Sequence, residues 1–290
     1  MPRREQRAKH QPDRKQHQSQ RQAGRDRPIE RDQHLVIDLL TGQALARVAH
    51  QGGRNVAVSF GPSAAFEFPP RGLTLHWFEA FFASKAFVTA FFRVSLLVGL
   101  LSAALATVLG TSAALGLVRF RFFGREAVET FFLAPLLVPE ILLGAALYLF
   151  YARLAIQASI WTLLWGHLVI CTPYVIRSVT AGLVGQDPRL EEAAMSLGAT
   201  RVQAFFKVTL PLLRSSLLSG AIFAFIISFS DINLALFLSG PESTSLPVHI
   251  FSQIQWQGDP TIAAASSLQI VIIGMLILVV QRIFRLRFVV

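Results

Sequence analysis

Charge is scarce in this chain. Asp, Glu, Lys and Arg make up 15% of its 290 residues, where a soluble domain carries about 25%. A soluble domain of this length would need far more charge to cover its surface. That argues against a soluble enzyme. Cysteine occurs once, as Cys171, so neither an intrachain disulfide nor a cysteine-based metal site can form. The lysines are Lys9, Lys15, Lys85 and Lys207, and none ends a G-x-x-x-x-G-K-[ST] run. The chain therefore has no Walker loop with which to hold ATP phosphates. Neither H-E-x-x-H nor G-x-S-x-G occurs, which removes two common hydrolytic constellations.

What is abundant is apolar. The hydrophobic share is 53%, with 24 phenylalanines. The net charge of +10 looks at first like a nucleic-acid footprint, but it is unevenly placed. Residues 1–55 hold 12 basic and 6 acidic residues, and residues 56–290 hold 15 and 11. Residues 1–34 have almost no large apolar side chain, a composition that cannot offset its ordering entropy. No apolar run follows the basic start, so it is not a signal peptide. Residues 1–55 are therefore expected to be disordered or non-native, with HLVIDLL (34–40) as a short amphipathic helix at most. No nucleic-acid partner is expected.

From Val94 the chain reads as membrane spans. Val94–Val118, Leu154–Ile176, Ser215–Ser230 and Pro260–Gln281 carry no charge, and Thr130–Ala152 is interrupted only by Glu140. A span needs about 20 apolar residues. Five follow, at 92–118, 130–151, 160–183, 212–237 and 262–281. None alternates with the period of a barrel strand, so the expected fold is an all-α polytopic membrane protein. Residues 56–91 are expected to form an extracytoplasmic connection, and 92–290 the transmembrane domain.

Basic residues set the orientation. Arg119, Arg121 and Arg125, then Arg189, Arg201, Lys207 and Arg214, then Arg282, Arg285 and Arg287 fall on one side of the five spans. Arg71, Lys85, Arg93 and Arg153 fall on the other. The 184–211 loop and the C-terminus are thus cytoplasmic. This leaves the basic tail outside without a signal. A further span before residue 60 would remove the conflict, and Val56–Phe60 reads as its last turn. Either the tail stays inside by an irregular arrangement, or the start or reading frame is misassigned.

The cytoplasmic loop reads GQDPRLEEAAMSLGATRVQAFFKVTLP over 185–211. Pro188 suits a helix start, and Glu191 and Glu192 suit its first turn. Ala193, Ala194 and Gly198 present little bulk, so another protein can approach closely. Gly198 should end the helix, and a second short helix over Thr200–Val208 should lead to Leu210 and Pro211 at the next span. The bland alternative is an ordinary amphipathic loop.

The spacing of Glu192-Ala193-Ala194, Gly198 and Leu210-Pro211 resembles the EAA loop of permease subunits in binding-protein-dependent ABC importers. Residues 90–285 resemble the MetI-like transmembrane domain, most of all the second permease of spermidine/putrescine-type importers. The likeness rests on Leu109-Gly110-Thr111, Arg119–Gly124, Pro139-Glu140-Ile141, Leu190–Thr200, Ser228–Pro241 and Leu246-Pro247. The usual first span is not recognisable. The resemblance implies a bacterial inner-membrane subunit and a homologous permease partner. It also implies ABC ATPase subunits beneath the EAA loops and a solute-binding protein outside. Coupling would be carried by Glu191, Glu192, Ala193, Ala194, Gly198, Leu210 and Pro211. No cofactor is expected on this chain, and ATP would be used by the partner.

Charges within spans are costly and usually face a cavity or a partner. Glu140 and Asp231 suit a cationic solute, a polyamine or another organic cation, and Trp161 and Tyr148 could add cation–π contact. The alternative is that both acids cap broken helices or pair with Arg153 or Arg177. Pro135 and Pro139 should break or kink the second span, and Pro173 should kink the third. Trp165 reads as an interface residue, His167 as a packed polar group, and Arg177 as a snorkelling one. Leu246–Trp256, in the outer loop 238–261, is apolar enough to lie on the membrane or form a gate. Ferric iron, thiamine, phosphate or sulfate are the alternative cargoes. A membrane scaffold without transport, or a membrane enzyme, is the alternative from another class.

Overall fold

A computed structural model describes residues 53, 55–62, 72–187, 189–256 and 260–284. The basic tail, the HLVIDLL segment, Pro188, the Gly258-Asp259 turn, Arg285 and Arg287 lie outside the described residues. Among the described residues every regular element is helical. In chain order these are α1 (His76–Ala83), α2 (Lys85–Arg119), α3 (Arg125–Leu133, extended by a 3₁₀ turn at Ala134–Leu136) and α4 (Glu140–Arg153). There follow α5 (Ile160–Val184), α6 (Arg189–Ser196), α7 (Arg201–Ser230), α8 (Ala235–Leu238), α9 (Leu246–Trp256) and α10 (Thr261–Phe284).

Four helices are long and apolar enough to cross a membrane: α2, α5, α7 and Thr261–Val279 of α10. The fifth expected span is not one helix. Over 125–153 the chain bends by 103° between Leu136 and Glu140. The reason lies chiefly in Pro139, which removes a backbone donor and disfavours helical geometry at Val138, while Ala134 before Pro135 stays helical at φ -52°, ψ -38°. Pro139 has ψ 127° and serves as the N-cap of α4. Neither arm alone reaches the ~20 residues that a bilayer demands. By contrast, α5 continues through Pro173 as one 25-residue helix.

Two further boundaries differ from the sequence expectation, both at wide π-turns. The first span begins at Lys85, because a π-helical segment over Thr89–Leu96 joins it to α2's apolar length. The expected separate helix over Thr200–Val208 does not exist. Arg201–Ser230 is continuous, with π-turns at Phe205–Thr209 just before Pro211. A π-turn widens the helix where the Pro211 ring would otherwise crowd the carbonyl four residues earlier. At its other end α7 stops at Ser230, seven residues before the expected limit.

The core is built where α2, α5 and α7 meet. In lipid, two apolar helices gain nothing from hiding from the tails, so association rests on close packing. The sequence supplies a small-residue stripe on α2, with Ser102, Ala103, Ala106, Gly110 and Ala114 buried at helical spacing. A Cβ at Gly110 would lie 2.8 Å from Val175 Cβ and 3.3 Å from the Ile176 nitrogen. A Cβ at Gly220 of α7 would lie 3.2 Å from Val175 Cα. Val175, fully buried, is thus held between two glycines.

The outer helix α9 is anchored on this core at its first turns. Leu246 is buried, and its backbone N–H donates to Ser95 Oγ at 2.8 Å. The His249 ring meets Phe87 edge-on at 4.6 Å.

Gly110→Val should destabilise the fold by about 1–3 kcal/mol, the usual cost of overpacking a filled core. Gly116→Ala, where a new Cβ meets nothing within 4 Å, should be close to neutral. Thermal unfolding of both variants in detergent, followed by size-exclusion chromatography, checks the contrast; equal stability of the two would contradict the packing.

Candidate functional site

The loop between α5 and α7 is shaped by local chemistry that the sequence specifies. The Asp187 carboxylate accepts from the Arg189 N–H at 3.0 Å and opens α6. Glu191 and Glu192 follow in the first turn, where they complement the helix dipole. The end is a Schellman motif. Gly198 N–H donates to the Met195 carbonyl at 2.9 Å, and Ala199 N–H to the Ala194 carbonyl at 3.1 Å. That motif needs a left-handed residue, and Gly198 has φ +93°. Thr200 then caps α7 in a capping box with Gln203. One glycine between two caps makes a fixed elbow.

The elbow presents a bare outer face. Glu192, Ala193 and Gly198 are exposed, and Leu197 is 91% exposed. Ala194 is half-buried. Leu210 and Pro211 lie more than two turns inside α7, beyond the π-turns. Glu191 points the other way. It takes both guanidinium nitrogens of Arg119 at the end of α2, Nη1 to Oε1 at 3.1 Å and Nη2 to Oε2 at 2.5 Å. Thr209 Oγ1 donates to the same carboxylate at 3.0 Å, and Arg119 also lies over the Phe205 ring at 5.8 Å. Sequence reasoning placed Glu191 among the coupling residues and did not include Arg119, Thr209 or Asp187 there. Arg119 precedes Glu191 by 72 residues, so no local pattern announces the pair.

The second region lies within the spans. At Ser230 α7 ends, and Asp231 leaves helical geometry with ψ 134°. Its carboxylate accepts from the Leu234 N–H at 3.4 Å and the Ala235 N–H at 2.9 Å, capping the start of α8. The same carboxylate lies 3.5 Å from His167 Nε2 on α5. Both side chains are 2% exposed. The other ring nitrogen, Nδ1, is 2.8 Å from the Leu163 carbonyl. His167 is therefore the packed polar group expected, but it also braces the break.

Glu140 opens α4, half-buried, and accepts from Asn233 Nδ2 at 3.3 Å. Neither acid pairs with Arg153 or Arg177; their partners are a histidine, an asparagine and backbone amides. Asn233 sits inside the four-residue gap, 231–234, that Asp231 opens and caps, so the break itself aims Asn233 at Glu140. Tyr148 lies about 12 Å further along α4 at helical rise, half-exposed, beside a cavity of about 290 Å³ that Tyr151, Gln157 and Thr162 also line. Trp161 is 64% exposed, next to the Ser159 capping box of α5. Neither ring shares a hydrogen bond or ring contact with the acids. Among the described residues no cluster of three His, Cys, Asp or Glu could hold a metal ion.

Residues 106–289 match the family model described as the binding-protein-dependent transport system inner membrane component. The chain is 35% identical over 211 residues to the putrescine transport system permease protein PotI of Escherichia coli (strain K12), covering 70% of this chain and 74% of that protein. It is 32% identical over 215 residues to the spermidine/putrescine transport system permease protein PotC of Haemophilus influenzae, covering 74% and 83%. In fold it is similar to a chain of a bacterial ABC transporter that imports the acidic polysaccharide alginate. There the TM-score is 0.61 at 16% identity, over 93% of this chain and 99% of that one.

Asp231→Ala removes a buried cap and leaves His167 without its partner. It should lower stability by about 2 kcal/mol, within the range for lost caps. Glu140→Gln keeps the Asn233 contact and should stay within about 0.5 kcal/mol of the parent. Thermal denaturation in detergent distinguishes them; equal losses would contradict the capping role of Asp231.

Proposed function

The chain belongs to the family of inner membrane components of binding-protein-dependent transport systems, and on that premise we propose that its cargo is a polyamine or a similar organic cation. It is a multi-pass permease subunit of an ABC importer in the inner membrane. Members of this family are transport subunits, not enzymes. The observation that carries the cargo reading is the likeness to the putrescine permease over 70% of the chain. The site chemistry agrees with it. Glu140 and Asp231 sit where spans are broken, and no lysine lies near them in sequence. A phosphate or sulfate entering this region would meet acids where it needs donors.

In this reading the two acids divide the work. Asp231, buried and committed to backbone amides and His167, holds the break open. Glu140, half-buried with one asparagine contact, keeps lone pairs for an ammonium group. Tyr148 and Trp161 offer exposed rings for cation–π contact along the path.

The energy comes from outside the chain. ATP is bound and hydrolysed by ABC ATPase subunits, and this chain holds no cofactor. Those subunits dock on the face of Glu192, Ala193 and Gly198, with half-buried Ala194 beside them, where little bulk separates partner from backbone. A homologous permease completes the pathway, and a loaded solute-binding protein docks on the outer side, over the α8–α9 region. Closure of the ATPases moves α6, and Leu210 and Pro211 pass the movement through the π-turns into α7. The spans then alternate between outward and inward opening. Lipid surrounds the remaining apolar surface.

Gly198→Asp places a β-carbon at φ +93° and a charge on the docking face. ATP-driven putrescine uptake should fall by more than about tenfold while the protein still inserts. Glu140→Gln should raise the KM for putrescine with little change in ATPase binding. Proteoliposome uptake with radiolabelled putrescine checks both. Parent-level uptake by Gly198→Asp would overturn the coupling role of the loop, and unchanged kinetics in Glu140→Gln would remove that residue from the path.

A further inference from the structure

The geometry points to Arg119, at the cytoplasmic end of the first long span, as a positioning residue that latches the coupling helix to the core. It does so through Glu191 and Thr209. This rests on the reading of α6 as the element the ATPase moves.

The argument starts from what does not hold α6. Among its eight residues none is buried. Between it and the core lies a cavity of about 250 Å³ whose lining includes Leu183, Leu190 and Leu212 together with Arg119, Glu191 and Thr209. A helix seated over a void has few packing contacts to fix its tilt. Polar groups must do so, and they are present. The Arg119 guanidinium meets Glu191 side-on with two hydrogen bonds, a fork geometry that fixes orientation as well as distance. Thr209 bridges the pair, donating to Glu191 and accepting from Arg119 Nη2 at 3.1 Å. Phe205 covers the guanidinium.

Three elements therefore converge on one carboxylate. Arg119 ends α2, Glu191 belongs to α6, and Phe205 and Thr209 bracket the π-turns of α7. A shift of α6 must either carry α2 and α7 with it or break the latch. The pair is partly exposed, at 32% and 22% of the side chains. Its strength is thus modest, as suits a contact that must hold in one state and yield in another. The role of Glu191 is inward, toward its own chain, while Glu192 faces the partner.

The test uses the assembled transporter, the chain with its partner permease, ATPase and binding protein, in proteoliposomes. Two quantities are read: putrescine taken up and ATP hydrolysed. Arg119→Ala and Glu191→Ala should each cut uptake per ATP by about tenfold with the ATPase still bound. The double variant should be no worse than either single one, because they remove one interaction. Arg119→Lys keeps the charge but loses the fork, and Thr209→Val loses the bridge; both should fall between. Arg121→Ala removes a nearby exposed charge outside the latch and should behave as the parent. If Arg119→Ala couples within about twofold of the parent, or if the two alanine effects multiply, the latch is overturned. Should either alanine variant fail to insert, Arg119→Lys and Thr209→Val decide, and parent-level coupling in both overturns the proposal. Failure of the underlying reading looks different: the ATPase would not co-purify with the parent, or Gly198→Asp would transport normally.

Discussion

A backbone amide or carbonyl freed inside hydrocarbon has no water to turn to. Every irregularity in a spanning helix must bring its own partner. The break after Ser230 exists because Asp231 supplies one, accepting from two amides at the start of α8 that have no helical partner of their own. A carboxylate in that position is itself expensive to bury, and His167 shares the cost from the neighbouring helix. Asn233 is then carried into the gap, and through it the start of α4 is tied to the end of α7. Remove the carboxylate and the site loses its geometry along with its charge.

Outside the hydrocarbon the opposite condition holds. Water satisfies loose backbone there, so sharp shape must come from sequence-encoded caps. The Schellman turn at Gly198 and the capping box at Thr200 supply it within a few residues. What such local devices cannot supply is the placement of the elbow against the core. That falls to side chains from elsewhere in the chain, Arg119 above all. The basic residues that orient the spans by the positive-inside tendency thus include one with a specific partner.

These two conditions explain what could be read from the sequence. Spans were legible because length and apolarity are what a bilayer demands of them. The elbow was legible because glycine and threonine act on their own neighbours. The prolines at 135 and 139 announced a break, and the chain bends there by 103°. The end of α7 was not legible. Residues 231–237 continue in apolar character past Asp231, and composition does not show where hydrogen bonds stop. The π-turns at Thr89–Leu96 and Phe205–Thr209 have no compositional mark either, so one span began early and a separate short helix was expected where none forms. The partners of Glu140, Glu191 and Asp231 lie 93, 72 and 64 positions away, distances over which only the folded topology brings residues together.

One helix joins the two regions. Thr209, at the latch, and Asp231, at the break, are the two ends of the regular part of α7, which at helical rise is about 33 Å long. Between them α7 is seated on α5 through Gly220 and Val175, and α5 carries His167. A rigid rod held at its middle by a glycine contact can tilt but cannot easily shorten, because its backbone hydrogen bonds have no substitute in lipid. Displacement at the cytoplasmic end is therefore displacement at Asp231, and with it a change in the Asn233–Glu140 contact. The π-turns sit between the elbow and the rod, the one place along it where the turn is already wide. The same constraint that makes a broken helix costly makes an unbroken one a transmitter.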